Sequence, residues 1–206
     1  MVPDDWPALR ALRLEALQDS PVAFCERYAD AVRETDDGWR ARAARGAQGG
    51  DSVQVMAWLQ GLPVATSVGY LDRGDAVLAA VYVTPARRGR GLLDAMVELV
   101  EAWARERSCP RLRLLVHETN VAGQRAYARL GFVPTGHREP YPLDPATDEV
   151  ELARPLWTSR RRSGRAASAG RARERPAPPA TDESGLVARG GSSRPPAADA
   201  AAPAIG

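Results

Sequence analysis

Val77 to Gly91 reads VLAAVYVTPARRGRG, and the rest of the chain is interpreted from this stretch. The apolar run that ends at Val83 predicts a buried strand, and a helical pattern begins at Leu92. The turn between them is rich in arginine and glycine. A strand, a glycine-rich turn and a helix N-terminus together offer backbone N–H groups and positive charge to a phosphate. Neither a GxxxxGK[ST] nor a complete GxGxxG pattern is present, so this stretch alone also fits an arginine-decorated turn.

A second group of residues lies further along the chain, at Asn120, Tyr127 and Gly131-Phe132. Asn120 is a suitable cap for a short predicted helix, Val121 to Leu130, which Gly131 would close. A tyrosine hydroxyl can protonate a leaving thiolate if it is held close to it. By itself, however, Tyr127 fits a core aromatic with its hydroxyl at the surface better than a catalytic acid.

The order of elements predicts an α/β chain with a mixed sheet. Three helices are expected first, followed by an antiparallel meander of three strands. Their predicted bounds are Asp4 or Asp5 to Ser20, Val22 or Ala23 to Arg33, a helix capped by Thr35 that carries Trp39, and strands at Val53 to Leu59, Val64 to Leu71 and Ala76 to Val83. A helix from Leu92 then leads to a strand at Leu112 to Val116, which implies a parallel pair with a right-handed crossover. Two final strands, Phe132 to Gly136 and Glu149 to Leu156, are expected to be joined by a proline-rich loop.

Composition changes sharply after Trp157. Residues 1–157 hold 19 Arg and 22 acidic side chains, whereas residues 158–206 hold 9 Arg and 4 acids and almost no large apolar residue. We therefore expect a domain at 1–157 and a disordered tail rich in Arg, Ala and Pro at 158–206. The two cysteines have no metal-ligand spacing, and no signal peptide or membrane-length apolar run is visible, so we expect a cytoplasmic protein without a metal site.

The two groups of residues together resemble the GNAT family of N-acetyltransferases. Val83 to Leu92 is similar to the family's acetyl-coenzyme A motif, [QR]-x-x-G-x-[GA], with Arg88 in its first position and Gly91 as its first glycine. Asn120 to Phe132 is similar to the second motif, N-x-x-A-x-x-x-Y-x-x-x-G-F. Leu93 departs from the small residue of the first motif, and Gly123 stands in place of the alanine of the second.

The resemblance implies a GNAT-like single domain of the α/β (α+β) class, with a mixed, mostly antiparallel, twisted sheet flanked by helices. Such domains normally begin with a strand before the first helix. Only Met1 to Pro3 precede Asp4, so we expect this first strand to be missing or truncated. An exposed sheet edge would follow, which makes a homodimer a reasonable expectation.

The resemblance also implies an acetyl-CoA-dependent N-acetyltransferase in which a primary amine of a small molecule or peptide attacks the thioester directly. Tyr127 would be the general acid that protonates the departing thiolate. Backbone groups of the strand would hold the pantetheine arm and the thioester carbonyl, and the turn would hold the pyrophosphate. The implied cofactor-binding residues are Val81, Tyr82, Val83, Arg88, Gly89, Arg90, Gly91, Leu92, Leu93, Asn120 and Tyr127.

The acceptor site and the general base are less clearly marked. Family members contact the acceptor with the first helices and the final loop, here Ser20 to Tyr28 and Arg138 to Asp144, so Phe24, Tyr28 and Tyr141 suggest a partly aromatic pocket. The candidate bases are Glu34, Asp72, His117, Glu118 and Glu139. A water chain is the alternative to any of them.

Two other functions stay open at this point. One is a non-catalytic coenzyme A-binding sensor or regulatory domain, which the departure at Leu93 and the absent first strand would suit. The other is nucleic-acid binding by the basic tail, which has only charge and a lone Arg189-Gly190-Gly191 to support it and is the weaker reading.

Overall fold

A computed structural model of the chain describes residues 1–157. It contains five α-helices and six strands in that range, with short 3-10 turns at Pro3–Asp5, Pro21–Ala23 and Pro85–Arg87. The helices are α1 (Trp6–Asp19), α2 (Tyr28–Ala31), α3 (Asp36–Gln48), α4 (Leu92–Glu106) and α5 (Val121–Arg129). The strands are β1 (Ser52–Leu59), β2 (Leu62–Asp72), β3 (Asp75–Val83), β4 (Arg111–His117), β5 (Val133–Tyr141) and β6 (Asp144–Pro155).

The six strands form one sheet in the order β1-β2-β3-β4-β6-β5. All pairs are antiparallel except β3 with β4, which the crossover through α4 makes parallel. That parallel pair is short, with only Ala76 opposite Leu112 and Val77 opposite Arg113. Beyond Val77 the two strands diverge, so the mixed, mostly antiparallel sheet predicted from the sequence is confirmed and is split near its middle.

Two apolar clusters cover the sheet. The larger one joins α4, through Met96, Val97 and Val100, to residues of β3, β4 and β6. The smaller one joins α1 to Trp39 of α3 and Tyr82 of β3. Helices therefore flank the sheet, as the sequence predicts.

A bulge in β3 decides which residues of that strand meet each cluster. Thr66 pairs with Tyr82 and Val68 with Ala79, so β3 carries one more residue than β2 between these pairs. Ala80 lies in the bulge with a φ of 51°. Side chains alternate along a regular strand, so Leu78 and Tyr82 would share a face without the extra residue. Instead, Leu78 belongs to the larger cluster and Tyr82 to the smaller one.

Two predicted elements are wrong in their bounds. The helix expected up to Arg33 reduces to the single turn of α2, because the backbone is extended at Phe24 and Arg27. The proline-rich loop expected between the last strands is mostly strand, since β5 continues to Tyr141 and β6 begins at Asp144. Proline is tolerated there because β5 is an edge strand, which can lack a ladder donor.

No strand precedes α1 within residues 1–157. The predicted disordered tail, residues 158–206, lies outside the described residues.

Candidate active site

A cleft of about 930 Å³ opens where β3 and β4 diverge. Its volume is within the range of small-molecule sites. The turn at 87–91, the start of α4 and α5 contribute to its lining, as do Ser20 to Ala23 and His117. The cleft is therefore lined from both sides of the split sheet.

The implied cofactor-binding residues are brought together in this cleft, although they come from three separate elements. Arg90 is the exception, since it is exposed and does not line the cleft. Of the implied cofactor-binding residues, those that line the cleft are Val81, Tyr82, Val83, Arg88, Gly89, Gly91, Leu92, Leu93, Asn120 and Tyr127. The backbone of β3 contributes most directly, because within the described residues it has no register partner on β4 beyond Val77.

The turn between β3 and α4 depends on its glycines. Gly89 and Gly91 have φ angles of 72° and 79°, a region in which an L side chain is strained. A Cβ at either position would have open space around it, so backbone conformation rather than crowding requires glycine. Gly91 caps α4, whose first N–H groups have no partner within the helix and lie at its positive end. Leu93 packs against the larger apolar cluster while lining the cleft.

Arg88 links the turn to the end of α1, next to Ser20 to Ala23. Its Nε donates a hydrogen bond to the Val83 carbonyl at 3.1 Å, and its guanidinium forms an ion pair with Asp19 at the end of α1. The Ser20 hydroxyl, and then Arg88, hold the pKa of Asp19 below its usual value. Asp19 therefore stays ionised beside Ser20 to Ala23.

Helix α5 brings the other two implied residues to the cleft. Asn120 Oδ1 accepts a hydrogen bond from the Gly123 N–H at 2.9 Å, which is the N-cap that the sequence predicts. Tyr127 packs edge-on against Phe132, with 5.8 Å between ring centroids. Burial raises the pKa of the Tyr127 hydroxyl, so it is protonated at neutral pH. Its hydroxyl has no hydrogen-bond partner among residues 1–157 and is available to a ligand.

One basic residue of the cleft was missed by sequence reasoning. Arg129, at the end of α5, lines the cleft and pairs with Asp94 of α4 through two contacts of 2.8 Å and 3.1 Å. Only the packing of α5 beside α4 brings these residues together, since no local pattern distinguishes Arg129 from other surface arginines.

Residues 8–132 match the family described as the Acetyltransferase (GNAT) family. This chain belongs to the GNAT family. Solved GNAT structures show the same fold: an N-acetyltransferase from Staphylococcus aureus Mu50 is 16% identical with a TM-score of 0.64, over 76% of this chain and 96% of that one.

Two further solved structures agree. A GNAT acetyltransferase from Streptococcus pneumoniae is 20% identical with a TM-score of 0.63, over 75% of this chain and 95% of that one. PaiA N-acetyltransferase from Thermoplasma acidophilum, solved in complex with coenzyme A, is 15% identical with a TM-score of 0.61, over 73% and 94%. At these identities the likeness shows the fold.

The five candidate bases of this GNAT chain have different surroundings. His117 lines the cleft, with Nδ1 2.8 Å from the Thr119 hydroxyl and Nε2 3.1 Å from that of Thr147. The other four carboxylates do not line it. Asp72 pairs with Arg113, Glu118 with Arg138, Glu139 with His137, and Glu34 accepts from the Thr35 N–H.

The expected aromatic acceptor pocket is not formed by the residues named for it. Phe24 and Tyr141 are buried, and the Tyr141 hydroxyl donates to the Phe24 carbonyl at 2.8 Å. Tyr28 is exposed. Instead, the small residues Ser20 to Ala23 line the cleft where the aromatic side chains were expected.

No group of three or more His, Cys, Asp or Glu side chains in residues 1–157 is arranged to hold a metal ion. No helix in that range is long and apolar enough to cross a membrane.

Proposed function

We propose that this protein is an N-acetyltransferase that moves the acetyl group of acetyl-CoA to a primary amine of a small molecule or peptide. The observation that carries the proposal is the cleft at the split in the sheet, which is lined both by the GNAT motif residues and by Ser20 to Ala23 with His117. The two substrates would meet there at β3. The coenzyme A of the Thermoplasma acidophilum structure supports the choice of donor.

The groups of the cleft suit the parts of acetyl-CoA. The N–H groups at the start of α4, with Arg88 beside them, would hold the pyrophosphate. The β4-facing backbone of Val81 to Val83, which has no register partner on β4, would bind the pantetheine arm and polarise the thioester carbonyl. Asn120 would contact the arm from the other wall. Tyr82 would contribute only its backbone, because its side chain is buried and its hydroxyl donates to Glu15 at 3.0 Å.

Tyr127 would act as the general acid. The neutral amine nitrogen attacks the thioester carbon, the C–N bond forms, the nitrogen gives up one proton to solvent water, and the C–S bond breaks with its electron pair on sulfur. The Tyr127 hydroxyl then gives its proton to the thiolate and is reprotonated from solvent. The raised pKa that burial gives this hydroxyl keeps its proton in place until that step.

The test is release of free coenzyme A from acetyl-CoA with a panel of primary amines, and mass spectrometry of the acetylated products. Protein thiols should add little background, because Cys109 is buried and burial raises the pKa of Cys25 to about 12. We expect at least one amine to stimulate release. Binding of acetyl-CoA without turnover on any amine would instead support the sensor function.

Tyr127→Phe should lower kcat by about a hundredfold, the usual contribution of a general acid, while the KM for acetyl-CoA changes little. The ring still packs on Phe132, so the fold is retained. Unchanged kcat across pH would show that Tyr127 is not the acid.

A further inference from the structure

Glu149 of β6 is a buried carboxylate without a cationic partner. It is 9% exposed, and no Arg or His of residues 1–157 pairs with it. Its hydrogen-bond partner in that range is the thiol of Cys25, which donates at 3.6 Å. Buried carboxylates elsewhere in the domain are neutralised by arginine, as Glu151 is by Arg113 at 3.2 Å and Glu101 is by Arg154 at 2.9 Å. Burying an unpaired charge is costly, so this exception calls for a functional reason.

Glu149 lies next to the cleft, although it is not itself one of the residues that line it. It stands directly opposite His117 in the β4–β6 ladder, and His117 lines the cleft. The thiol of Cys25 donates a hydrogen bond to the Glu149 carboxylate. Cys25 comes shortly after Ser20 to Ala23 in the chain, and those residues line the cleft. Neighbouring strands are about 4.8 Å apart, so Glu149 lies one strand beyond His117 as seen from β3.

The groups around Glu149 include no arginine, among the described residues, that would compensate a negative charge on it. Burial raises the pKa of its carboxyl, the Cys25 thiol lowers it by donating a hydrogen bond, Glu139 of β5 raises it and His117 lowers it. His117 is held between two threonine hydroxyls and packs edge-on against Tyr141 at 4.7 Å, so its ring is fixed. A ligand cation is the partner that this arrangement lacks.

We propose that Glu149 binds a second positive charge of the acceptor, and that the acceptor is therefore a cationic amine with an ammonium or guanidinium group besides the amine that is acetylated. This inference rests on the proposed function. Since Glu149 lies one strand away from the split in the sheet, it would hold the remote charge while the reacting nitrogen reaches the thioester at β3.

The first test compares diamines with monoamines. Putrescine and cadaverine are assayed against butylamine and pentylamine, with the wild type and Glu149→Gln. We expect Glu149→Gln to raise the KM for the diamines about tenfold or more, the usual effect of losing a hydrogen bond to a charged group. The KM for the monoamines and kcat should change little.

Glu151→Gln is the matched control. Glu151 is equally buried and lies two residues along the same strand, but Arg113 already neutralises it. Arg113 keeps Asp72 and Asp75 as partners in this variant. We expect it to leave the preference for diamines unchanged. An equal loss of preference in both variants would overturn the proposal.

The second test separates binding from structural support. Because the folded pKa of Glu149 is raised, stability falls as pH rises from the unfolded pKa of a glutamate towards the folded one, and the cost remains at neutral pH. Glu149→Gln should therefore raise the melting temperature at neutral pH, whereas a carboxylate with a structural role would lower it when replaced.

The outcomes distinguish this inference from the proposed function. If the wild type acetylates amines and Glu149→Gln keeps the preference for diamines, the inference fails and the function stands. If the wild type binds acetyl-CoA but acetylates no amine, the function fails. Calorimetry with putrescine in the presence of coenzyme A then decides the inference: binding that is lost in Glu149→Gln supports it, and no binding to the wild type overturns it.

Discussion

At the scale of single residues, Ala80 has the most unusual conformation in the cleft. It is a non-glycine residue with a φ of 51° in the middle of a strand, and it lines the cleft. A left-handed conformation costs an L residue about 1–2 kcal/mol. The bulge that requires it turns Tyr82 away from the larger apolar cluster, so the strain maintains the arrangement of β3 at the split.

Ala80→Gly should raise the free energy of unfolding by about 0.5–1 kcal/mol, because glycine relieves the strain but loses more backbone entropy on folding. Chemical denaturation measures the change. Ala79→Gly, next to it on the same strand with an ordinary φ, is the control and should lower stability by about 0.5–1 kcal/mol. Equal losses in both variants would show that Ala80 is not strained.

At the scale of elements, α5 has two roles that can be separated. It is a helix of 9 residues, too short to be stable alone, and it presents both Asn120 and Tyr127 to the cleft. The Asn120 side chain caps the helix and also forms part of the cleft wall.

Asn120→Ala should lower the free energy of unfolding by about 1 kcal/mol, the usual value of an N-cap. Asn120→Asp keeps the capping oxygen, so it should retain stability, but it adds a negative charge beside an anionic substrate. We expect the KM for acetyl-CoA to rise several-fold in Asn120→Asp. An unchanged KM in this variant would remove Asn120 from the cofactor site.

The parts of the architecture that could be predicted are those that depend on local sequence patterns. The strand, turn and helix around Gly91 and the cap at Asn120 depend on neighbours in the chain, and the structure has them as predicted. The prediction of a helix from Val22 or Ala23 to Arg33 was wrong in its first part, because long-range packing of Phe24 into the smaller cluster outweighs helix propensity. For a similar reason, no local sequence pattern distinguishes Glu149. Its lack of a partner is a property of three-dimensional surroundings, and its sequence neighbours include other acids.

At the scale of the whole molecule, the boundary proposed from composition can be tested by truncation. The last described residues are held by Leu156, which is buried, and by Trp157, whose Nε1 donates to the Cys109 carbonyl at 2.9 Å. Removal of residues 158–206 should leave the melting temperature and turnover unchanged. Truncation after Arg154 is the control and should lower the melting temperature, since it deletes these contacts. Loss of activity on the first truncation would show that the tail takes part in function.

The edges of the sheet are the second feature at this scale. β1 and β5 are the two edge strands, and β1 exposes Trp58 and Leu59. An unpaired edge with exposed apolar side chains favours association. The homodimer stays a prediction, and analytical ultracentrifugation of the tail-free protein would decide it.

The ion pair between Arg88 and Asp19 has a consequence for the order of events in a catalytic cycle. If the Arg88 guanidinium turns to the pyrophosphate and leaves Asp19, Asp19 adds a free negative charge to the part of the cleft lined by Ser20 to Ala23, where a cationic amine would bind. Arrival of the donor would thus prepare the site for the acceptor. We expect ordered kinetics, with acetyl-CoA first, and a random order in Asp19→Asn, as product-inhibition patterns would show.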